Sequence, residues 1–146
     1  MKRLLVIEDG TEYAEFARAF LAEFEVRAAT SGAAALAELE SGEVWAMLID
    51  LRFDRAPPEI LVGDLAATAA RLFAGDRARA LRYLVDQQGA LILAALREAG
   101  HAQPAVFVHE FPPRRLENLR RLYGRVDAVA EFDAERLRRA LGGGGR

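Results

Sequence analysis

The sequence contains no cysteine, which excludes a disulfide framework, a thiolate zinc site and a cysteine nucleophile. No apolar run approaches the ~18 residues that a membrane span needs. The start, Met1-Lys2-Arg3, leads into an apolar stretch that ends at Glu8 and Asp9, too short for a signal-peptide core. A cytoplasmic setting, with no membrane partner, is the simplest expectation. Neither G-x-G-x-x-G nor the phosphate-binding G-x-x-x-x-G-K occurs, so the common nucleotide-binding loops are absent. Excess positive charge is absent too: the formal net charge is −2, which argues against a nucleic-acid partner. Lysine is nearly missing, since Lys2 is the one lysine among 20 basic residues; this reads as genome composition bias.

What is present suffices for a packed core. The 146 residues are 52% hydrophobic and 29% charged, an ordinary size for one domain and short for two. The charge is unevenly spread. Residues 1–59 carry 6 basic and 12 acidic side chains, whereas residues 114–146 carry 9 and 5. The basic end reads as solvated helix faces or, more sharply, as a docking surface.

Along the chain, short apolar runs alternate with helical periodicity. Leu4 to Ile7 reads as a strand buried on both faces. Tyr13, Phe16, Ala17, Phe20, Leu21 and Phe24 then recur at helical spacing, with Thr11 as the expected N-cap. Residues 25–29 read as a second strand. A helix opens at Ser31-Gly32 and closes near Ser41-Gly42, and residues 44–49 form a third strand ending on Asp50. Residues 105–108 and 126–130 are two further strands, followed by helices over 112–123 and 133–141. Residues 142–146 read as a flexible Gly-rich tail after a single domain of residues 1–141. Five β-α steps predict an α/β fold with a parallel sheet covered on both faces, and in such sheets chemistry gathers at the carboxyl ends of the strands. One step is twice the usual length. After the expected helix near 88–100 is subtracted, about residues 54–87 remain as a helical insertion, with Leu61, Leu65, Leu72, Phe73, Leu81, Leu84 and Val85 as its apolar stripe. That stripe is expected to dock on a second copy or another protein, or to fold back as a lid.

Three carboxylates, Glu8, Asp9 and Asp50, fall at the ends of the first and third strands. Like charges brought together raise one another's pKa, and a divalent cation relieves the repulsion. Mg²⁺ prefers a few carboxylates plus water and phosphate oxygens. A carboxylate can also act as a nucleophile toward a phosphoryl group. The bland reading of the same residues is that they are strand-end caps.

Leu4-Leu5-Val6-Ile7-Glu8-Asp9, Ala29 to Leu36, Trp45 to Leu51, Gly89 to Arg97 and Val129 to Leu141 occur in the order of a two-component response-regulator receiver domain. The chain resembles that family over nearly its whole length except the insertion. The resemblance implies a flavodoxin-like (CheY-like) doubly wound sheet of strand order 2-1-3-4-5, the insertion lying between strand 3 and helix 3. It implies Asp50 as phospho-acceptor, and Mg²⁺ held weakly by Glu8, Asp9, Asp50 and the main-chain carbonyl of Arg52. It implies a histidine kinase or other signalling protein as partner, and a signalling role that is not enzymatic. A second copy could also pair through the insertion or the C-terminal face.

The departures from the family are specific. His109 stands where it has Ser or Thr, Ala130 stands where it has lysine, and Asp127 stands where it has an aromatic switch residue. A protonated His109 could bond phosphate, or a neutral one could simply fill space. The resemblance is therefore to an atypical receiver. One alternative is a pseudo-receiver that works as a protein-protein interaction module without phosphorylation. A metal-dependent phosphotransfer enzyme is more remote, because toprim-like and haloacid-dehalogenase-like sites want an aspartate where Arg52 stands.

Overall fold

A computed structural model describes residues 1–143. Its elements run β1 (Lys2–Ile7), α1 (Glu12–Phe20), β2 (Phe24–Ala29), α2 (Gly32–Ser41), β3 (Ala46–Ile49), a 3₁₀ turn (Pro58–Ile60), α3 (Leu65–Leu72), α4 (Arg77–Asp86), α5 (Gln88–Glu98), β4 (Ala105–Val108), α6 (Pro113–Tyr123), β5 (Val126–Val129) and α7 (Ala134–Gly143). The five strands form one parallel sheet in the order β2-β1-β3-β4-β5, as expected for a flavodoxin-like CheY fold. Of the tail expected at 142–146, Gly142 and Gly143 close α7, and residues 144–146 lie outside the described residues. Among the described residues, no helix is long and apolar enough to cross a membrane.

The alternation of strand side chains divides the core in two. On one face, Leu5, Ile7, Met47, Ile49 and Phe107 pack with Ala35 and Leu39 of α2, Ile92 and Leu96 of α5 and Leu119 of α6. On the other, Leu4, Val6, Leu48 and Val106 pack with Ala14 and Ala17 of α1 and Leu137 and Leu141 of α7. Both faces are covered by helices, which is why β1 and β3 read as continuous apolar runs.

Helix α1 differs from its expected form. It ends at Phe20, with Leu21 as C-cap, and its buried face is Ala14 and Ala17. Phe20 of the expected stripe is 58% exposed. The small alanines let the helix lie close to the sheet, and the larger aromatics are pushed to its flank, where Phe16 stacks on Phe20 and Phe132.

The insertion is a helical hairpin, α3 against α4, folded back onto its own chain. Ala56, Leu61 and Val62 pack on the core that includes α2 and α5. The buried Gln88 side chain clamps the hairpin: its Oε1 accepts the Val62 N–H at 2.7 Å, and its Nε2 donates to the carbonyls of Val62 and Leu84. Leu84 is buried, and Phe73 packs against Tyr83 of α4. Of the apolar stripe expected to dock on a partner or to fold back as a lid, Leu84 is buried, Leu61, Leu65, Phe73, Leu81 and Val85 are half-buried, and Leu72 is 54% exposed.

Candidate functional site

The register places the ends of β1 and β3 side by side. Ile7 pairs with Ile49, and the Asp50 N–H donates to the Ile7 carbonyl at 2.9 Å. Glu8, Asp9 and Asp50 therefore leave the sheet at one edge, but their carboxylates have different surroundings.

Glu8 is 1% exposed and turns toward α1. Its Oε1 accepts the Tyr13 N–H and its Oε2 the Ala14 N–H, both at 2.9 Å. These are donors of the first helical turn, which have no partner within the helix. Glu8, not Thr11, caps α1: Thr11 makes no capping side-chain bond, and its hydroxyl donates to Glu15 instead. A negative group here also faces the positive end of the helix dipole.

Asp9 is covered by Arg55, from the loop that leaves β3. The Arg55 N–H donates to Asp9 Oδ2 at 2.8 Å, and Arg55 Nη2 reaches Asp9 Oδ1 at 3.3 Å. The same guanidinium forks onto Glu12, with Nη2 to Oε1 at 2.8 Å and Nη1 to Oε2 at 2.9 Å. Hydrogen bonding from Arg55 holds the Glu12 carboxyl down at about 2.

Asp50 is half-buried. Burial, then the charge of Asp9, pushes its carboxyl up to about 7, against the opposing bonds from Tyr13 and the Arg52 N–H. The Tyr13 hydroxyl donates to Asp50 Oδ1 at 3.2 Å and also lies 3.4 Å from the Val108 carbonyl. Burial and the neighbouring carboxylates push the Tyr13 phenol above its ordinary range, so it stays a neutral donor. The Tyr13 ring meets Phe132, in the loop before α7, edge to face with centroids 4.8 Å apart. Gly89 lets α5 start against this site. Its N–H donates to the Leu51 carbonyl at 2.8 Å, and a Cβ there would overlap the Asp50 carbonyl oxygen.

The ends of β4 and β5 hold nothing comparable. The His109 N–H continues the ladder to Val129 O, and its ring lies 4.6 Å from that of Phe111. Burial, then the nearby Arg52 and Arg115, lowers the His109 pKa, which favours the neutral imidazole. Asp127 accepts from Arg120 of α6 at 3.0 Å and from the Ala128 N–H. Ala130 is exposed. The Arg52 side chain runs to Asp86 of α4, 3.7 Å away.

Sequence reasoning found Glu8, Asp9 and Asp50 but assigned them one environment. It missed Arg55 as a rim residue and read Tyr13 only as an apolar position. A tyrosine on the sheet-facing side of α1 was the available signal, since a buried phenol needs a hydrogen-bond partner. The side chains present do not fit a bound metal as they stand. Glu8 is committed to backbone donors and Asp9 to Arg55, and among the described residues no three histidine or carboxylate side chains converge on one point.

The fold is that of response-regulator receiver domains. A two-component response regulator from Clostridium difficile matches with a TM-score of 0.66 at 12% identity, over 100% of this chain and 97% of that one. TrrA of Thermotoga maritima, in complex with Mg²⁺-BeF, matches at 0.62 and 16%, over 99% of each chain. The chemotaxis response regulator CheY4 of Vibrio cholerae matches at 0.63 and 16%, over 99% and 98%. Likeness at such identities establishes the fold alone. No protein-family model and no curated protein matches the sequence.

Proposed function

We propose that the protein is an atypical receiver domain of two-component signalling, with Asp50 as its phospho-acceptor and a histidine kinase or another signalling protein as its partner. The observation that supports this most is the setting of Asp50: a half-buried carboxylate at the end of the central strand β3, beside Asp9, held by a hydroxyl donor. In the reaction an ionised Asp50 oxygen attacks phosphorus. The bond from phosphorus to the donor's leaving group breaks, the leaving group departs with the electron pair, and an acyl phosphate remains. With a carboxyl pushed up to about 7, Asp50 is only partly ionised at neutral pH, so phosphorylation should quicken as pH rises toward 8.

The readout on this reading runs through α1. Phosphorylation adds about −1.5 to −2 charge where Tyr13 donates its hydrogen bond. A change in that bond moves a ring packed on Phe132, which belongs to the loop before α7. The positions in and just after β5 through which the family works are Asp127 and Ala130 here, and neither faces Asp50 with a hydrogen bond in this structure. NMR shift changes on adding a phosphoryl mimic should therefore gather on Tyr13, Phe16 and Phe132 and stay small along Val126–Val129.

The test is intact mass after incubation with a small phosphodonor and Mg²⁺, with Asp50→Asn as control. Gain of one phosphoryl group in the wild type only supports the reading. No gain under any donor favours the second reading, a phosphorylation-independent interaction module. That reading draws on the pairing of Asp9 with Arg55, which leaves the rim without a free acid pair.

A further inference from the structure

Arg55 lies over the acids of the β1–β3 rim, the place where the receiver resemblance implies a metal ion, and the chain is shaped around it. Its guanidinium and backbone N–H engage both oxygens of Asp9, whose side chain is 4% exposed, and its fork engages both oxygens of Glu12. Gly10, between these acids, leaves room for the fork: a Cβ at that position would fall on the guanidinium. Beneath Asp9, Glu8 is turned away to cap α1. The one buried acid of the rim that keeps a counter-charge thus receives it from its own chain.

We propose that Arg55 is a tethered cation that substitutes for a divalent metal at the β1–β3 rim, so that metal binds this pocket only by displacing the guanidinium. Three physical reasons lead to this. A guanidinium keeps its charge at any pH a protein survives, and its planar fork matches two carboxylates at once. Mg²⁺ demands free oxygens in near-octahedral array and gives up its water reluctantly, so it competes poorly for oxygens already engaged. A competitor carried on the loop leaving β3 also acts at high effective concentration, which a free ion must outmatch. The inference extends the receiver reading, but it does not need Asp50 to accept a phosphoryl group.

The experiment is a Mn²⁺ titration by calorimetry, with thermal melts at each metal concentration and no phosphodonor. It compares wild type, Arg55→Gln, Gly10→Ala and the double variant Arg55→Gln with Asp9→Asn. Wild type should stay flat into the millimolar range. Arg55→Gln should bind about tenfold more tightly or better, and its melting temperature should rise with metal. Gly10→Ala keeps the charge but crowds the fork, and should move in the same direction by a smaller amount. The double variant should lose the gain. Circular dichroism confirms that each variant is folded. Identical curves for Arg55→Gln and wild type, whether both flat or both binding, overturn the proposal, as does a gain that survives in the double variant. Phosphorylation of Asp50 is read by mass in a separate experiment, so either idea can fail alone.

Discussion

The two halves of the strand-end rim differ in kind. Where β1 and β3 end, every acid has a structural partner: Glu8 the first turn of α1, Asp9 the guanidinium of Arg55, Asp50 the hydroxyl of Tyr13. Where β4 and β5 end, the corresponding residues look elsewhere. His109 lies against Phe111, Asp127 pairs with Arg120, and Ala130 offers no polar group. The same fold thus carries a polar half whose acids are each held by a donor of the chain and a half whose side chains serve local packing. From Asp50 a side-chain hydrogen bond leads into α1, and the Tyr13 hydroxyl that makes it also meets the Val108 carbonyl at the end of β4. A receiver fold can keep an aspartate at the end of β3 while routing its contacts differently, because the backbone fixes only where side chains leave the sheet.

The sharpest way to break this contrast is at Glu8. Glu8→Ala removes the cap of α1 and leaves one buried and one part-buried N–H group unpaired, which should cost about 2–4 kcal/mol in urea unfolding. A loss below ~1 kcal/mol would mean that the carboxylate is not structural. Next is Gly89→Ala. Alanine favours a helix by about 1 kcal/mol over glycine, but here its Cβ meets the Asp50 carbonyl, a backbone atom with little freedom to move. A net loss of about 1–3 kcal/mol is expected.

Asp50→Asn should act in the opposite direction, and only at high pH. The folded Asp50 carboxyl is raised from its ordinary 3.8 to about 7. Between those values the folded state binds the extra proton, so stability falls as pH rises and the loss is complete above about 7. Removing the charge should therefore stabilise the protein at about pH 8 by about 1–2 kcal/mol, after discounting for the solvent-facing edge of the group. Below pH 4 the gain should vanish. Thermal melts of wild type and variant at the two pH values read this directly, and a gain independent of pH would count against the raised carboxyl.

Tyr13→Phe is a smaller change. It removes one hydrogen bond, at about 0.5–1.5 kcal/mol, and should push the Asp50 carboxyl higher still, because that bond favours the ionised form. A carbon-detected NMR titration of Asp50 would register the rise. Smallest of all, Asp127→Asn on the other half should cost less than about 1 kcal/mol, since its ion pair with Arg120 is exposed. It should leave the Asp50 titration in place; a shifted titration would show that the two halves are coupled after all.

The sequence was sufficient for the architecture because strand and helix periodicity are local. Buried strands such as Leu4–Ile7 must be apolar on both faces, and the order of five β-α steps then leaves few topologies. The same locality put Glu8, Asp9 and Asp50 at strand ends. What each carboxylate would touch was decided only by the assembled fold. Arg55 reaches Asp9 across 46 residues and Tyr13 reaches Asp50 across 37, and no periodicity records such a meeting. Glu8 turned from the rim because an uncapped helix end lay within its reach, and two N–H groups of that end hold a carboxylate more firmly than water does. The insertion shows the same division. Its helices were legible from apolar spacing, but its attachment through Gln88 depended on a side chain that fits only once Val62 and the Leu84 carbonyl of α4 are brought to the start of α5.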